Sequence, residues 1–501
     1  MVDISRRAVL ASAAAVLLAG AAPEPEGATI AWPSDVPGWD PNLRAVPRAQ
    51  SLYKLIYDPA LDLDPGLRLT PALVSAWDLA PDALSLTVDL RDDVTFHNGD
   101  KLSSADFRWT FLGRARAGQK SDLAASWPLL RHIETPSATR AIMHFDGPLP
   151  SAPVRLASLA SFVVPQAAMQ APGAEPLATH PIGTGPYKLA GYEDEGRIVL
   201  ERNEAYWGPR PKLRRLSIDI IHEPAARAAA VEAGRVDLAV DVPAAAMAHL
   251  AAMPGLVAES SPDTRMILLQ TRSDQGFADP AIRLAAHHAI DKKALSQAVF
   301  GGAALPLSVL AIHGTPAAVD DYVFAYDPAL SRLLLAKSGY GQGQPVRIRL
   351  ATTNGEFAGD FDIARAIAQM WQAVGIAAEL EVIEYTKYAD LNRANYLPEA
   401  TLYALDNPTG DPELGAGALL NPASPISAWK DMVFGQKIAA MASVTDPAAR
   451  LDGWRALERE ATEIGAAIPL LQAAQGVVRK KKLGYTNYLN GWVLGQTLAW
   501  S

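Results

Sequence analysis

A strand, a helix and a second strand follow one another between residues 346 and 382. Apolar side chains alternate over residues 346–350, recur at helical spacing over residues 363–374 and alternate again over residues 378–382, and Gly375 ends the helix. Two strands joined by one helix lie parallel, because the crossover returns the chain to the same end of the sheet, and such crossovers are right-handed. The segment therefore predicts an α/β fold.

Strand patterns also occur in the first half of the chain. Residues 84–90 alternate between apolar and polar types, as expected of a strand with one buried face, and residues 197–201 and 216–220 are typical of further strands. No repeat of about 20 to 50 residues recurs, which argues against a solenoid or a propeller. These patterns, together with the strand-helix-strand unit, predict an α/β protein of two lobes.

Capping residues mark two helix starts. Ser103, with Asp106 three residues later, has the spacing of a capping box, and the helix that it opens continues through Phe111. Asp279 precedes a proline at the first helical position, and the apolar stripe that follows predicts a single helix that continues to Gly301.

Composition restricts the class of protein. The chain has 501 residues, 49% of them hydrophobic, with 36 Gly and 38 Pro, which indicates a folded globular protein of more than one domain. Its 54 acidic and 45 basic residues give a net charge of -9, the wrong sign for neutralising phosphates, so no nucleic acid partner is expected. There is no cysteine, which excludes disulfides, thiol nucleophiles and cysteine-bound zinc or iron–sulfur clusters.

The first residues are typical of an export signal. Arg6 and Arg7 precede an uncharged run over residues 8–22, and small residues before Ala21 match a signal peptidase site. The paired arginines resemble a twin-arginine signal, and the general secretory route stays open. Residues 1–21 are therefore predicted to be removed by cleavage near Ala21, leaving a periplasmic protein that has no cysteine for a lipid anchor.

The sequence contains no pattern for a metal or a cofactor. None of the nine histidines forms an HExxH motif, and His287 and His288 are neighbours that point apart on a helix. The string GTGPYK at residues 183–188 lacks the third glycine of a dinucleotide-binding turn. We therefore predict no metal site and no cofactor.

One enzyme hypothesis stays open beside a binding function. Two SxxK spacings occur, Ser51 to Lys54 and Ser427 to Lys430, and residues 337–339 form a KSG string, as in penicillin-recognising serine enzymes. The SDN element is missing, and the KSG string ends a helix instead of lying on a strand. The protein is predicted not to be an enzyme.

A series of strings gives the chain a family resemblance from about residue 28 to residue 490. They include GTGPY at residues 183–187, followed by a strand and then by RNEAYWGPRP. The others, in chain order, are LTPALVSAWDLAPDALSLTVDLRDDVTFHNGDKLSSADFRWTF, AVEAGRVDLAVDVP, DPAIRLAAHHAIDKKAL, YDPALSRLLLAKSGYG and IAQMWQAVGI. Together they resemble the family 5 extracellular solute-binding proteins of ABC importers, the dipeptide, oligopeptide and nickel receptor group.

The resemblance implies a two-lobed periplasmic binding protein fold, type II and cluster C-like, with a hinged ligand cleft. The chain would cross between lobes near residues 260–271 and return near residues 471–478. Lobe I would be discontinuous, made of residues 28–265 and 475–501, and lobe II would contain residues 266–474. The implied partners are a small peptide or peptide-like ligand and an ABC permease in the inner membrane, and the protein is expected to be a monomer.

The resemblance also implies a site. Peptide receptors of this family bind the ligand's α-ammonium with an aspartate after an aromatic-rich strand, which matches Asp406 in TLYALDNPTGDP, with Asn407 beside it. Asp411 is a second candidate for this anchor, because two extra residues separate the DN and GDP parts of the family's run. Tyr385 matches a site where dipeptide receptors place a Trp, and Tyr403 is the nearest aromatic residue on the strand of Asp406. For both tyrosines, core packing is the alternative.

One departure from the family bears on the ligand. Dipeptide receptors bind the ligand carboxylate with an Arg after the strand at residues 346–350, but this loop offers Asn354 and Glu356 and no Arg before Arg365. The ligand is therefore predicted to be a longer peptide, or a cationic or neutral solute such as an opine, an amino-acid derivative or a nickel chelate.

Overall fold

A computed structural model describes residues 26–118, 121–193, 196–394 and 396–501 of the chain. The predicted export signal lies outside these residues. Within the described ranges, no helix combines the length and the apolar character needed to cross a lipid bilayer.

Nineteen strands are numbered here in chain order. They are β1 (Gly27–Trp32), β2 (Leu61–Leu63), β3 (Leu69–Pro71), β4 (Val74–Leu79), β5 (Ser85–Leu90), β6 (Leu130–Ser137), β7 (Arg140–Phe145), β8 (Tyr187–Tyr192), β9 (Ile198–Arg202), β10 (Arg215–Ile220), β11 (Leu238–Ala239), β12 (Leu256–Thr271), β13 (Leu305–Pro306), β14 (Val346–Thr352), β15 (Ile376–Val382), β16 (Ala400–Asp406), β17 (Ala467–Lys480), β18 (Leu483–Gly484) and β19 (Ala499–Trp500).

The α-helices are numbered in the same way. They are α1 (Gln50–Ile56), α2 (Ser104–Arg108), α3 (Arg114–Arg116), α4 (Asp122–Ala125), α5 (Ala152–Arg155), α6 (Gln166–Gln170), α7 (Pro224–Glu232), α8 (Ala244–Ala251), α9 (Pro280–His288), α10 (Lys292–Phe300), α11 (Pro328–Lys337), α12 (Asp360–Gln372), α13 (Tyr385–Arg393), α14 (Ala418–Leu420), α15 (Met432–Ala442) and α16 (Pro447–Glu463). Short 3₁₀ turns occur at Pro47–Ala49, Gln275–Phe277 and Gly495–Thr497, and π turns at Trp109–Gly113 and Glu413–Gly417.

An eleven-stranded mixed sheet runs through the molecule in the order β15-β14-β16-β12-β17-β11-β1-β10-β9-β8, and β13 pairs with β17. β14 and β15 pair in parallel with Val346 opposite Ile376, and α12 connects them, so the predicted crossover unit is confirmed. A separate four-stranded antiparallel sheet has the order β4-β5-β7-β6. The strands predicted at residues 84–90, 197–201 and 216–220 are found as β5, β9 and β10.

The two long strands β12 and β17 lie at the centre of the large sheet and pair antiparallel over most of their length. The first part of β12 and the last part of β17 lie on the side of β11, whereas residues 265–271 of β12 pair with β16. The buried apolar clusters form two groups on either side of these strands. One group draws on residues 28–258 and 477–500, and the other on residues 266–473.

The predicted helix starts are correct, but the helix that begins at Asp279 is shorter than expected. The capping box of Ser103 and Asp106 is present, and the helix continues into a π turn that includes Phe111. Asp279 caps α9, which ends at His288, and Asp291 then caps a second helix, α10, through the backbone N–H of Ala294. An aspartate inside the apolar stripe starts a new helix because its side chain competes for backbone N–H groups.

The GTGPY and YW motifs form a closed structural network around Asp58. The Thr184 Oγ1 donates to Asp58 Oδ2 at 2.8 Å, Trp207 Nε1 donates to the same oxygen at 2.8 Å, and the Tyr206 hydroxyl donates to Oδ1 at 3.1 Å. Gly183 lies so close to the chain that a Cβ there would be 2.0 Å from the carbonyl oxygen of Ile56. The motif therefore requires glycine for close packing, and its polar side chains bind Asp58.

Candidate ligand-binding site

A cavity of about 230 Å³ lies between residues 45–48 and segments from the second half of the chain. Its charged wall residues are Arg48, Arg265, Glu356 and Asp406. The remaining wall residues are Ala45, Val46, Pro47, Thr353, Phe357, Tyr388, Leu402, Tyr403 and Ala404. Because a single water molecule needs only about 10–15 Å³ of cavity volume, the cavity has room for a small organic solute.

A bulge in β12 places charged residues at this cavity. The pairing of β12 with β17 is interrupted at residues 263–265, which lie opposite the single residue Ala473. Bulges of this kind bend a strand and change the direction of its side chains. Asp263 Oδ1 accepts the backbone N–H of Arg265 at 2.8 Å and so fixes the bulge from within.

Arg265 and Asp406 form an ion pair across two strands. They are direct neighbours in the antiparallel pairing of β12 with β16, and Arg265 Nε lies 3.5 Å from Asp406 Oδ2. Thr264 Oγ1 donates to Asp406 Oδ1 at 3.2 Å. The aspartate predicted to bind an ammonium group is thus already paired with a cation of the protein.

A second ion pair joins the N-terminal segment to the end of β11. Arg48 Nη1 lies 2.9 Å from Asp241 Oδ2, and Gln475 Nε2 donates to Asp241 Oδ1 at 3.3 Å. Asp241 has a φ of 50°, in the left-handed region, which a short polar side chain tolerates better than most. Arg48, Arg265 and Asp406 also line a smaller adjoining cavity of about 30 Å³.

The two arginines shift the pKa values of the neighbouring carboxyl groups. Burial raises the pKa of Asp263 to about 6, with Arg265 opposing and Asp406 reinforcing the shift. For Asp241, burial acts in the same direction, but Arg48 and Arg265 outweigh it and lower the pKa. Burial disfavours the charged form of Arg265, but the surrounding carboxylates outweigh it and raise the pKa. The shifts of Asp241 and Arg265 therefore both favour the charged form, whereas that of Asp263 favours the neutral form.

Two stacked tyrosines form part of the wall. Tyr388 from α13 and Tyr403 from β16 have ring centroids 5.0 Å apart and an interplanar angle of 16°. The Tyr388 hydroxyl donates to Gln270 Oε1 at 2.5 Å, which fixes its ring relative to β12. The pair offers a flat apolar surface beside the charged groups.

The loop after β14 is held by Asp360. Its carboxylate accepts hydrogen bonds from Thr353 Oγ1 at 2.7 Å and from the backbone N–H groups of Gly355 and Glu356 at 2.9 and 3.0 Å. This arrangement sets the positions of Glu356 and Phe357 on the cavity wall.

The structure brings some of the predicted site residues together and separates others. Asp406 and Tyr403 line the cavity. Asn407 is buried, and its side chain donates to the backbone oxygen of Asp411 at 2.9 Å. Asn354 is exposed in the loop after β14 and is not part of the wall. Tyr385 begins α13, and its side chain lies outside what the structure describes.

Asp411 belongs to an ion-pair network away from this wall. Its carboxylate accepts two hydrogen bonds from Arg450, at 2.9 and 3.0 Å, and Arg450 also binds Glu413 at 3.0 Å. Glu413 binds Arg155 at 2.6 Å, so the network joins α5 to the second half of the chain. Asp411 is therefore part of a structural connection.

Sequence reasoning missed both arginines of the cavity wall. Arg48 precedes α1 in a segment without a clear pattern, whereas Arg265 lies in the predicted crossing strand directly before the apolar run of residues 266–269. A charged residue in an apolar strand is a usable signal, because an unpaired charge in such a place is costly. The loop after β14 lacks the arginine that dipeptide receptors have there, but two arginines from other elements line the cavity.

The serines of the enzyme hypothesis are bound into the structure. Ser51 Oγ accepts the backbone N–H of Val493 at 3.1 Å, and Ser427 Oγ donates to the carbonyl oxygen of Trp429 at 2.9 Å. Lys54 Nζ is 2.6 Å from Asp62. Among the residues that the structure describes, no group of three or more His, Cys, Asp or Glu side chains is arranged to hold a metal ion.

A family model described as "Bacterial extracellular solute-binding proteins, family 5 Middle" matches residues 68–421. The glutathione-binding protein GsiB of Pectobacterium atrosepticum is 26% identical over 350 residues, covering 68% of this chain and 67% of the relative. The nickel-binding periplasmic protein of Escherichia coli K12 is 26% identical over 399 residues, covering 74% and 73%.

The fold is similar to that of a solved periplasmic binding protein. The ABC transporter-associated protein DppA from Helicobacter pylori, in complex with the peptide STSA, superposes with a TM-score of 0.82 at 20% sequence identity. The match covers 95% of this chain and 98% of that protein.

Proposed function

This chain belongs to the family 5 bacterial extracellular solute-binding proteins, which serve ABC importers, and we propose that it captures a peptide or peptide-like solute and delivers it to an inner-membrane permease. The observation that carries the proposal is the cavity of about 230 Å³ between residues 45–48 and the wall formed by the loop after β14, α13 and β16. It combines charged groups with a pair of stacked tyrosines, as recognition of a small polar solute requires.

We propose that the solute is enclosed by closure of two lobes. Lobe I would contain residues 28–265 and 475–501, and lobe II residues 266–474. The separation of the buried clusters into residues 28–258 with 477–500 and residues 266–473 supports this division. Hinged closure then brings Arg48 of lobe I toward the tyrosines of lobe II.

The proposal includes the cellular location. Cleavage after Ala21 of an N-terminal signal would release a periplasmic monomer that binds its guest without altering it chemically. Members of this family are binding proteins, and the hydrogen bonds that occupy Ser51 and Ser427 support the absence of a serine nucleophile.

A non-peptide solute is the second candidate. One relative is named for glutathione and another for nickel, so the same fold serves chemically different ligands. The ion pairs at the cavity favour a guest with ionic groups and leave an opine, an amino-acid derivative or a chelate open.

Thermal unfolding of the purified protein with single solutes tests the proposal. A peptide at about 100 times its Kd should stabilise the folded state by about 2.7 kcal/mol and raise the Tm by a few degrees. We expect dipeptides, tripeptides or glutathione to give such a shift. If only opines or nickel–histidine raise the Tm, a non-peptide solute replaces the peptide as the proposed ligand.

A further inference from the structure

We infer that Arg48 and Arg265 bind a carboxylate of the guest, and that Asp406 and Asp241 are positioning residues for these arginines. The inference rests on the proposed function and names the chemical group through which the solute is recognised. It reverses the role expected from the sequence, in which Asp406 binds an ammonium group.

The two aspartates already have partners. Asp406 Oδ2 faces Arg265 Nε at 3.5 Å, and its other oxygen accepts the hydroxyl of Thr264. Asp241 is bound by Arg48 at 2.9 Å and by the amide of Gln475. An ammonium group at Asp406 would have to compete with a guanidinium fixed directly opposite on the neighbouring strand.

The arginines have donors left over. A guanidinium carries five N–H donors. Within the ranges that the structure describes, Arg265 uses only Nε on a protein carboxylate and Arg48 uses only Nη1. Both side chains line the large cavity and the small one beside it. Both arginines therefore have unused donors at the cavity, and such donors suit a carboxylate.

The other groups at the wall agree with this orientation. Tyr388 and Tyr403 provide an apolar surface for the body of the guest. Glu356 lines the cavity from the loop after β14, where burial raises the pKa of its carboxyl group and the nearby Arg48 and Arg265 oppose the rise. A ligand that also carries an amino group would place that group near Glu356. Only the ligand's carboxylate is required for binding.

The test uses the purified full chain and three matched sets of dipeptides and tripeptides: unmodified, N-acetylated and C-terminally amidated. Calorimetry should show that the N-acetylated acids bind within a few-fold of the unmodified peptides. The amides should bind about 10- to 100-fold more weakly, because they lose charge-assisted hydrogen bonds to the arginines. Amides that bind as tightly as acids would overturn the inference and leave peptide binding intact.

If none of the peptides binds, the peptide proposal fails and a second comparison decides the inference. Opines and other amino-acid derivatives are then measured as free acids and as methyl esters. Binding of the acids alone supports carboxylate recognition. Equal binding of the esters, or no binding in either comparison, overturns it.

Variants assign the preference to particular residues. Arg265→Gln should reduce the affinity for acids about 10- to 100-fold and diminish the preference for acids over amides. The double variant Arg265→Gln/Asp406→Asn removes both members of the ion pair and should show the same loss in a folded protein. Asp406→Asn alone should retain the preference for acids, since Arg265 remains.

Arg347→Gln is the matched control, because this arginine is 77% exposed on β14 and does not line the cavity. It should bind like the unaltered protein. A preference for acids that survives in the double variant would overturn the assignment to Arg265.

Discussion

Asp58 and Asp406 show how differently one molecule can use an aspartate. Asp58 accepts hydrogen bonds from the uncharged donors of Thr184, Tyr206 and Trp207, and it is buried. Asp406 is paired with a guanidinium whose remaining donors face a cavity. Both residues are surrounded by polar groups, so the presence of a hydrogen-bond network does not identify a binding site.

The two aspartates differ in whether their partners have hydrogen-bond donors that the protein itself does not use. In the Asp58 network the tryptophan N–H and the two hydroxyl donors are used within the protein. Beside Asp406, most donors of Arg265 have no protein acceptor in the described part of the chain. In a structural network all polar groups form hydrogen bonds within the protein, whereas a binding site has polar groups that remain available to a ligand.

The largest expected effect comes from removing the structural carboxylate. Asp58→Ala leaves the donors of Thr184, Tyr206 and Trp207 without their acceptor, and we expect the free energy of unfolding to fall by about 4 kcal/mol. Urea denaturation followed by circular dichroism measures the loss. The solute affinity of the folded fraction should not change.

Asp58→Asn is the control for that substitution, because it keeps one acceptor oxygen in place. Its loss of stability should be clearly smaller than that of Asp58→Ala. Equal effects of the two substitutions, or a loss of affinity without a loss of stability, would break the distinction between the two regions.

Glu458 is a third carboxylate, outside both regions, and its surroundings differ from those of Asp58 and Asp406. It is buried, Oε2 accepts the N–H of Ala311 at 2.6 Å, and Oε1 has no partner among the described residues. Burial raises its pKa from 4.5 to about 8. Between these values the unfolded chain has released a proton that the folded protein still binds, so stability falls as the pH rises.

Glu458→Gln removes this titration and keeps an oxygen for Ala311. We therefore expect the variant to be more stable than the unaltered protein by about 3 kcal/mol at pH 8, and by far less at pH 4.5. Urea midpoints at several pH values between 4.5 and 8 measure the difference. A stability difference that is independent of pH would show that Glu458 is ionised in the folded state.

The smallest effect is expected at the apolar part of the cavity. Tyr403→Leu removes one ring of the stacked pair, and the affinity for the solute should fall about fivefold, or about 1 kcal/mol. Tyr326→Leu is the control, since Tyr326 is 51% exposed and not part of the wall. Calorimetric titration compares the two variants. Equal affinities would remove Tyr403 from the site.

Much of the fold could be predicted because it depends on local patterns. The parallel pairing of β14 with β15 follows from apolar periodicity and a glycine stop, and the capping box at Ser103 follows from two residues. The break between α9 and α10 was missed because the apolar stripe continues across it. A local hydrogen bond from Asp291 outweighs that pattern.

The site depends on contacts that no local pattern contains. Asp406 and Tyr403 could be placed by family resemblance, but the partner of Asp406 is 141 positions away and becomes a neighbour only through the register of β12 with β16. The bulge at residues 263–265 brings Arg265 to the cavity, and it has no signature in the sequence. Arg48 reaches the same place from a segment before the first helix.

The continuity of the large sheet has a mechanical consequence. β12 and β17 pair from Leu256 to Pro262 and again from Met266 to Gln270, so apart from the bulge at residues 263–265 they connect the two groups of buried clusters. If the ends of the sheet rotate relative to each other, the rotation has to be taken up as additional twist within these strands. The paired backbone amides of both strands would then stay protected from hydrogen exchange throughout each cycle of capture and release, and the stiffness of this ladder would set the energy of opening.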